Sequence, residues 1–483
     1  MCVREENEPR RRDSPRHCRR HARHHRQGEL LLLGAVAAAL RHHLLQRGAG
    51  ARTTAVHAAR TVAALAHRHI TARTGKRLTP THCRRLTQHN RDQQQNLPAA
   101  HAPIIPYQFT ESSAQRVQCR YTSFAMKVGI VGCGNISPVY LRVAQRFPEI
   151  EVVAVADALP ELAQERAAQF GVPQALAVDA LLQHPDIEIV LNLTPPKAHA
   201  PINKAALQAG KHVYCEKPFG VNREEAREVL ELSQQRGLYI GCAPDTVLGA
   251  GIQTCLHLIR EGAIGEPVGA SAFMLSPGHE RWHPNPEFFY QVGGGPMLDM
   301  GPYYITALVT LLGAARRVAG VSRITRPVRT IRSEPKRGQQ VVVETPTHIT
   351  GAIEFENGAL ATVIMSFDVW AHRLPCIEVY GTEGTLGVPD PNGFGGPVLL
   401  RRAGESEWRE MPLTHPYAEQ YRSLGLAEMI RAIQEGRPNR LNGQLASHVL
   451  DIMLAFNDSS ASETHIALES RCTPPAPMPV EGL

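Results

Sequence analysis

Between Gly132 and Ser137 the chain reads Gly-Cys-Gly-Asn-Ile-Ser, a run that could hold a phosphate. Gly132 permits a tight turn, Gly134 lets a pyrophosphate approach the backbone, and small Ser137 shares the close-packing role of a third glycine. Amides around Asn135 and Ile136, at the positive dipole end of a following helix, would take the phosphates. Asp157 comes 25 residues after Gly132, at the end of the next apolar run, where a carboxylate can accept from both hydroxyls of an adenosine ribose. Its charge repels a 2′-phosphate, and Ala158-Leu159 follow it in place of an arginine, so NAD is favoured over NADP. Taken alone, the glycine run also fits a plain turn, and Asp157 an exposed loop cap.

The elements around these residues support the first reading. From Met126 onward short apolar runs alternate with helical stretches: strands over 127–132, 152–156, 187–191, 211–215 and 238–241, helices near 139–147, 159–170, 198–209 and 223–236. Such alternation implies right-handed crossovers and a mostly parallel sheet. Further on, the runs 349–355 and 359–366 flank Glu356-Asn357-Gly358, a strong hairpin signal.

The chain has 483 residues, enough for two to four domains, and 43% apolar with 20% charged residues argues against wholesale disorder. The longest apolar run, Leu30–Leu40, is 11 residues, well short of a membrane span. The net charge of +7 divides unevenly. Residues 1–125 carry 22 Lys+Arg against 7 Asp+Glu, a net of +15, and the remainder has a net of −8. The acidic remainder gives no reason to expect nucleic acid or membrane as partner. The first segment, with 21 Arg, one Lys and 12 His, is expected to be a disordered extension or a reading frame outside the coding region, with Met126 as the natural start. A secretory signal, a basic nucleic-acid arm and a His-tract metal site fit it less well. Ten dispersed cysteines show no metal or redox spacing, so reduced thiols in a cytoplasmic protein and no metal are expected.

Thr194-Pro195-Pro196-Lys197-Ala198-His199 and Ala209-Gly210-Lys211-His212-Val213-Tyr214-Cys215-Glu216-Lys217-Pro218 take the reading further. With Glu261–Val268, Gly293-Gly294-Gly295-Pro296-Met297-Leu298-Asp299-Met300-Gly301 and Tyr380–Thr385, they resemble the Gfo/Idh/MocA oxidoreductases across essentially all of 126–483. The resemblance implies an α/β fold: an N-terminal Rossmann dinucleotide-binding domain at 126–243, then an α+β domain with an open, mostly antiparallel sheet at 244–435. A C-terminal helix and tail, 436–483, would return to the first domain. It also implies cofactor contacts from Thr194, Pro195, His199, Glu216 and Lys217, and a homodimer or homotetramer formed through the second sheet.

In such enzymes the lysine of Glu-Lys-Pro reaches the reacting hydroxyl and the nicotinamide ribose, which assigns Lys217 to catalysis, Glu216 to positioning, and a cis peptide to Lys217–Pro218. Asp299 and Tyr303, four apart at a helix start, share one face. Many relatives have His where Tyr303 stands; Tyr occurs in the glucose–fructose oxidoreductase branch. Nearby positive charge should lower the Tyr303 phenol more than burial raises it. The loop Gly278-His279-Glu280-Arg281-Trp282-His283 suits a platform for a polyhydroxylated ring or a packing loop between domains; Trp282 and His283 are its substrate candidates, with Asp245-Thr246, Trp370 and His372 as lesser ones. The chain therefore reads as an NAD-dependent oxidoreductase acting on a sugar, inositol or related cyclic polyol. An NAD-retaining glycoside hydrolase of the same fold, or a cofactor-sensing regulatory protein with a decayed site, are the alternatives.

Overall fold

Strands β1 (Met126–Val131), β2 (Ile150–Ala156), β3 (Gln174–Leu176), β4 (Ile189–Asn192), β5 (His212–Cys215) and β6 (Ile240–Cys242) are short and mostly apolar because helices cover both faces of the sheet they build. In the computed structural model, which describes residues 125–483, they pair in parallel in the order β3-β2-β1-β4-β5-β6. The expectations for the Arg/His-rich segment lie outside the described residues. Helices α1 (Ser137–Ala144), α2 (Pro160–Phe170), α3 (Val178–Leu182), α4 (Pro196–Gln208) and α5 (Arg223–Arg236) make the crossovers. The strand order reverses between β1 and β4, and the crevice at the carboxyl ends of those two strands is where such a sheet takes a ligand. The sequence pattern did not indicate β3 and α3: three and five residues are too few to show a period.

After α6 (Ala250–Arg260) the chain builds a second sheet from β7 (Pro267–Leu275), β8 (Ala315–Arg323), β11 (His348–Phe355), β12 (Leu360–Ser366), β13 (Ile377–Gly381), β14 (Gly384–Val388), β15 (Val398–Arg402), β16 (Arg409–Met411) and β17 (Ile466–Ala467). A separate small hairpin pairs β9 (Val328–Thr330) with β10 (Gln340–Val342). The order is β16-β15-β14-β13-β7-β12-β11-β8-β17, antiparallel throughout except for β7 with β12. Side chains alternate as a one-sided sheet requires. Ile353, Val363, Ala272 and Val379 are buried on one face, whereas Val321, Ala352, Thr362 and Leu360 are exposed on the other. The covered face receives α7 (Gly295–Leu312), which is buried along nearly its whole length.

The last two helices, α8 (Leu424–Glu435) and α9 (Gly443–Ser462), join the two sheets. Asn442 caps α9 by accepting from the Leu445 amide at 3.0 Å. On one side Arg223 of α5 pairs with Asp451 at 2.5 Å and Asp458 at 2.6 Å. On the other, α9 lies so close to β8 that a side chain at Gly320 would meet the Phe456 carbonyl at 2.7 Å. No helix among the described residues is long and apolar enough to cross a membrane.

A buried ionic knot fixes the loop between β7 and α7. Arg329, 2% exposed, donates to Glu280 at 3.1 Å, to the Phe367 carbonyl at 3.2 Å and to Asp368, and Tyr290 also donates to Glu280. Removing one member strands the others without water or counter-charge. Arg329→Met should lower the free energy of unfolding by about 3–5 kcal/mol in urea titrations, far more than loss of an exposed pair such as Arg337–Glu334.

Candidate active site

Strand β1 ends in a turn only glycine can make. Gly132 has φ +104°, and a Cβ there would lie 2.6 Å from the Leu193 carbonyl carbon and 2.8 Å from the Thr194 nitrogen. Asp157 fastens the turn from β2, its carboxylate accepting from the Cys133 amide at 2.7 Å and the Leu159 amide at 2.9 Å. Arg166 of α2 donates to the Cys133 carbonyl at 3.1 Å. Ser137 donates to the Gly134 carbonyl at 2.8 Å and is fully buried, so it occupies the third glycine's place as a packing residue. A Cβ on Gly134 would meet no atom within 4 Å, and Gly134 and Asn135 are exposed: the turn leaves a bare cradle beside the backbone. That cradle fits a dinucleotide pyrophosphate, with Asp157 keeping free lone pairs for a ribose.

A cavity of about 390 Å³ opens from this turn toward α7. Asn135, Ile136, Thr194, Glu216 and Lys217 line it from the first sheet; Trp282, His283, Phe289, Asp299 and Tyr303 line it from the second. The structure thus brings together most of the residues singled out in the sequence. Others stand elsewhere. Asp245 is 1% exposed at the start of α8, where it accepts from the Ser423 amide at 3.0 Å and the Gly425 amide at 3.2 Å. It serves as a cap and does not face a substrate; burial raises its carboxyl to about 6 against Arg422 and the two amides. Trp370 is 61% exposed outside the cavity with the Arg281 guanidinium 4.6 Å from its ring centre, and His372 is exposed beside it. Pro195 is also exposed, and Pro196 lines the cavity in its place.

His199, expected at the cofactor, is 1% exposed, buried beneath the Thr194 turn. Its Nδ1 lies 2.6 Å from the Pro218 carbonyl and its Nε2 2.7 Å from the Thr194 carbonyl. Two carbonyls need two N–H donors, so the ring is an imidazolium. Burial works against that charge, but negative charge on the neighbouring Cys215 sulfur and both carbonyls raise the group to about 9. The clamp holds the Thr194 turn to the Lys217–Pro218 turn, whose peptide is cis.

Lys217 stands at the centre. Its ammonium donates to the Asp299 carbonyl at 2.8 Å and carboxylate at 3.0 Å, and lies 5.3 Å above the Tyr303 ring centre. Glu216 turns the other way: it accepts from the Lys217 amide at 2.9 Å and from the Tyr140 hydroxyl at 2.7 Å, so it holds the backbone. Burial disfavours the ammonium, but the Asp299 carboxylate overrides it and raises the Lys217 pKa above the ordinary lysine range. Burial likewise pushes the Asp299 carboxyl up, and Lys217 with a hydrogen bond from His279 outweighs it, lowering the group to about 2. An ammonium has three donors, two of them spent on Asp299, so one remains for a ligand oxygen.

Tyr303 corrects an expectation. It is 6% exposed, and burial raises its phenol in spite of Lys217 and Arg422. Arg422 donates to the Tyr303 hydroxyl at 3.4 Å, which leaves the phenolic proton to be donated onward. Neither Arg422 nor the Asp299–His279 contact at 3.3 Å was read from the sequence. Arg422 is 119 residues from Tyr303 and carries no motif; His279 lay within a loop already marked, but its partner could not be known from spacing.

The two glycines separate fold from binding. Gly132→Ala should cost about 1–3 kcal/mol of stability through strain in the turn. Gly134→Ala should leave urea unfolding within about 0.5 kcal/mol yet weaken NADH binding about tenfold or more, by fluorescence titration, because the added methyl occupies the cradle.

Comparison with known proteins agrees with this architecture. Residues 126–243 match the oxidoreductase family with an NAD-binding Rossmann fold, and residues 252–387 match the GFO/IDH/MocA C-terminal domain. Among curated relatives, dTDP-3,4-didehydro-2,6-dideoxy-alpha-D-glucose 3-reductase of Streptomyces violaceoruber is 32% identical over 199 residues, 41% of this chain and 57% of that protein. The 1,5-anhydro-D-fructose reductase of Ensifer adhaerens is 28% identical over 289 residues, 58% of this chain and 81% of its own length. Among solved structures, levoglucosan dehydrogenase in complex with NADH superposes with a TM-score of 0.64 at 23% identity, covering 72% of this chain and all of that one. The two matches span most of the described residues and meet at the cavity that holds Lys217 and Asp299: the chain belongs to the Gfo/Idh/MocA family of NAD-binding oxidoreductases.

Proposed function

We propose that the protein transfers a hydride between NAD(H) and a secondary hydroxyl or ketone of a sugar, inositol or related cyclic polyol. The observation that carries this reading is the buried Lys217 ammonium, held by Asp299 over Tyr303 in a cavity that begins at the Gly132–Ser137 turn. The dinucleotide would be held by the amides of that turn, by Asp157 and by the Thr194 segment; when bound it supplies or accepts the hydride. Lys217 and Tyr303 then offer two proton-bearing donors to the oxygen on the reacting carbon, and Asp299 keeps the lysine charged. The site as folded is loaded with protons and so suits carbonyl reduction. Alcohol oxidation requires one of these groups to lose its proton first.

Asp157 supports NAD over NADP: Ala158 and Leu159 follow it in place of an arginine, and Arg166, which reaches the turn from α2, is engaged by the Cys133 carbonyl and the Gln169 side chain. The aromatic wall of Trp282, His283 and Phe289 supports a cyclic substrate, in keeping with the sugars named for the relatives. The exposed face of the second sheet, with Val321, Leu360 and Ala352, supports a dimer or tetramer through that face. Free thiols at every described cysteine accord with a cytoplasmic setting.

A panel of carbonyl sugars and cyclic polyols, with 1,5-anhydro-D-fructose, levoglucosan and trans-1,2-dihydrobenzene-1,2-diol included, should yield turnover followed by NADH absorbance. Lys217→Met should then lose about 10²–10⁴-fold in turnover, the usual scale for a lost acid–base group, with NADH affinity kept within a few-fold. Oxidation should rise with pH without levelling below the ordinary phenol value near 10, because Lys217 and Tyr303 are both raised. Full activity in the Lys217→Met protein contradicts the reading.

A further inference from the structure

The Asp299 carboxylate has a second partner that the chemistry of Lys217 does not require. His279 places Nε2 3.3 Å from Asp299 Oδ2, while Lys217 occupies Oδ1. The imidazole packs between Phe289, ring centres 4.1 Å apart, and Phe367, at 4.5 Å, and its side chain is only 13% exposed. Its Nδ1 is buried and has no hydrogen-bond partner. The carboxylate can only accept, so Nε2 carries the proton in this contact and donates it to Asp299.

The backbone under the ring is as tightly held. The His279 amide donates to the Tyr290 hydroxyl at 3.0 Å. Gly278, at φ +97°, leaves no room for a side chain, since a Cβ would lie 2.6 Å from both Arg329 and Tyr290 side-chain atoms. The charged and titratable groups around the ring are Asp299 from α7, Glu280 and His283 on its own loop, Tyr290, Arg329 from β9 and Asp368 after β12. Glu280, Arg329 and Asp368 are engaged with one another. Asp299 is the one that takes a hydrogen bond from the ring.

We propose that His279 is a positioning residue: a hydrogen-bond donor that fixes the Asp299 carboxylate where its charge acts on Lys217. The proposal rests on the reading that Lys217 serves the reacting oxygen, and adds how the lysine is kept charged. A second cation in the place of His279 would compete with Lys217 for the carboxylate, whereas an apolar residue would leave Oδ2 buried and unpartnered. An unpartnered carboxylate oxygen either takes a proton or turns toward water, and in both cases Lys217 loses its counter-charge and burial lowers its pKa. The same loop carries Trp282 and His283 into the cavity, so the ring that steadies Asp299 is built into the wall that meets the substrate.

The test needs neither substrate nor cofactor. In the full chain, the pH dependence of Lys217 acetylation by acetic anhydride, read by mass spectrometry against exposed Lys197, reports the Lys217 titration. His279→Gln places an amide donor near the position of Nε2, His279→Asn keeps the polarity but is too short to reach Asp299, and His279→Met fills the aromatic cage without a donor. The Gln protein should match the parent within about three-fold at each pH. The Asn protein, and the Met protein where it folds, should acetylate about tenfold faster at a given pH, a titration displaced downward by about one unit. If the Gln and Asn proteins behave alike, whether both as the parent or both displaced, His279 acts by packing and the proposal fails. Loss of turnover in Lys217→Met decides separately whether Lys217 serves the reaction.

Discussion

A lysine ammonium and an aspartate carboxylate, buried together at the meeting of two sheets, set the terms for the rest of this structure. Either charge alone would cost several kcal/mol to hold away from water, and the pair recovers that cost only at close range with its remaining donors and lone pairs satisfied. Lys217 leaves the end of β5 and Asp299 sits in the first turns of α7, so their 3.0 Å separation demands that the two sheets be locked in one relation. The locks are visible. Helix α9 is pinned to α5 by Arg223 and pressed into β8 at Gly320; His199 ties the Thr194 turn to Pro218; Glu216 and Tyr140 fix the lysine backbone.

Much of the site was legible in the sequence because backbone requirements leave signatures in residue type. Gly132 and Gly134 mark a turn with no room for one side chain and an open cradle for the other; Asp157 falls at a strand end fixed by the spacing of a βαβ unit. Lys217, Asp299 and Tyr303 came from motifs joined to a helix face. What the sequence could not show was direction and company. Asp245 follows a strand end much as Asp157 does, yet its side chain turns toward the α8 amides, a choice made by a segment more than 170 residues away. His199 carries a motif histidine's place but works from below, through two carbonyls. Trp370 looked like a sugar platform by type alone, and tertiary packing placed it outside the cavity.

Tyr303 shows why residue type underdetermines chemistry. Two cations lie near it, and on charge alone its proton should be loosened. The ring is nevertheless almost wholly enclosed by α7 and its neighbours, and desolvation of the phenolate outweighs both. With Lys217 held as an ammonium, the site emerges as a pair of proton donors beside one fixed negative charge. The fold of this chain supplies that arrangement; the wall of Trp282, His283 and Phe289, on a loop bolted by Arg329, lines the same cavity.

The most direct test is the pH profile of NADH-dependent carbonyl reduction in the parent and in Asp299→Asn. On the proposed reading reduction needs the Lys217 ammonium, so activity should be lost as pH rises through the Lys217 pKa, which Asp299 holds above the ordinary lysine range. With the carboxylate gone, burial dominates, and the alkaline fall should move down by at least about one pH unit. An unchanged alkaline fall in the Asn protein would mean that Asp299 does not keep Lys217 charged and that the proton comes from elsewhere.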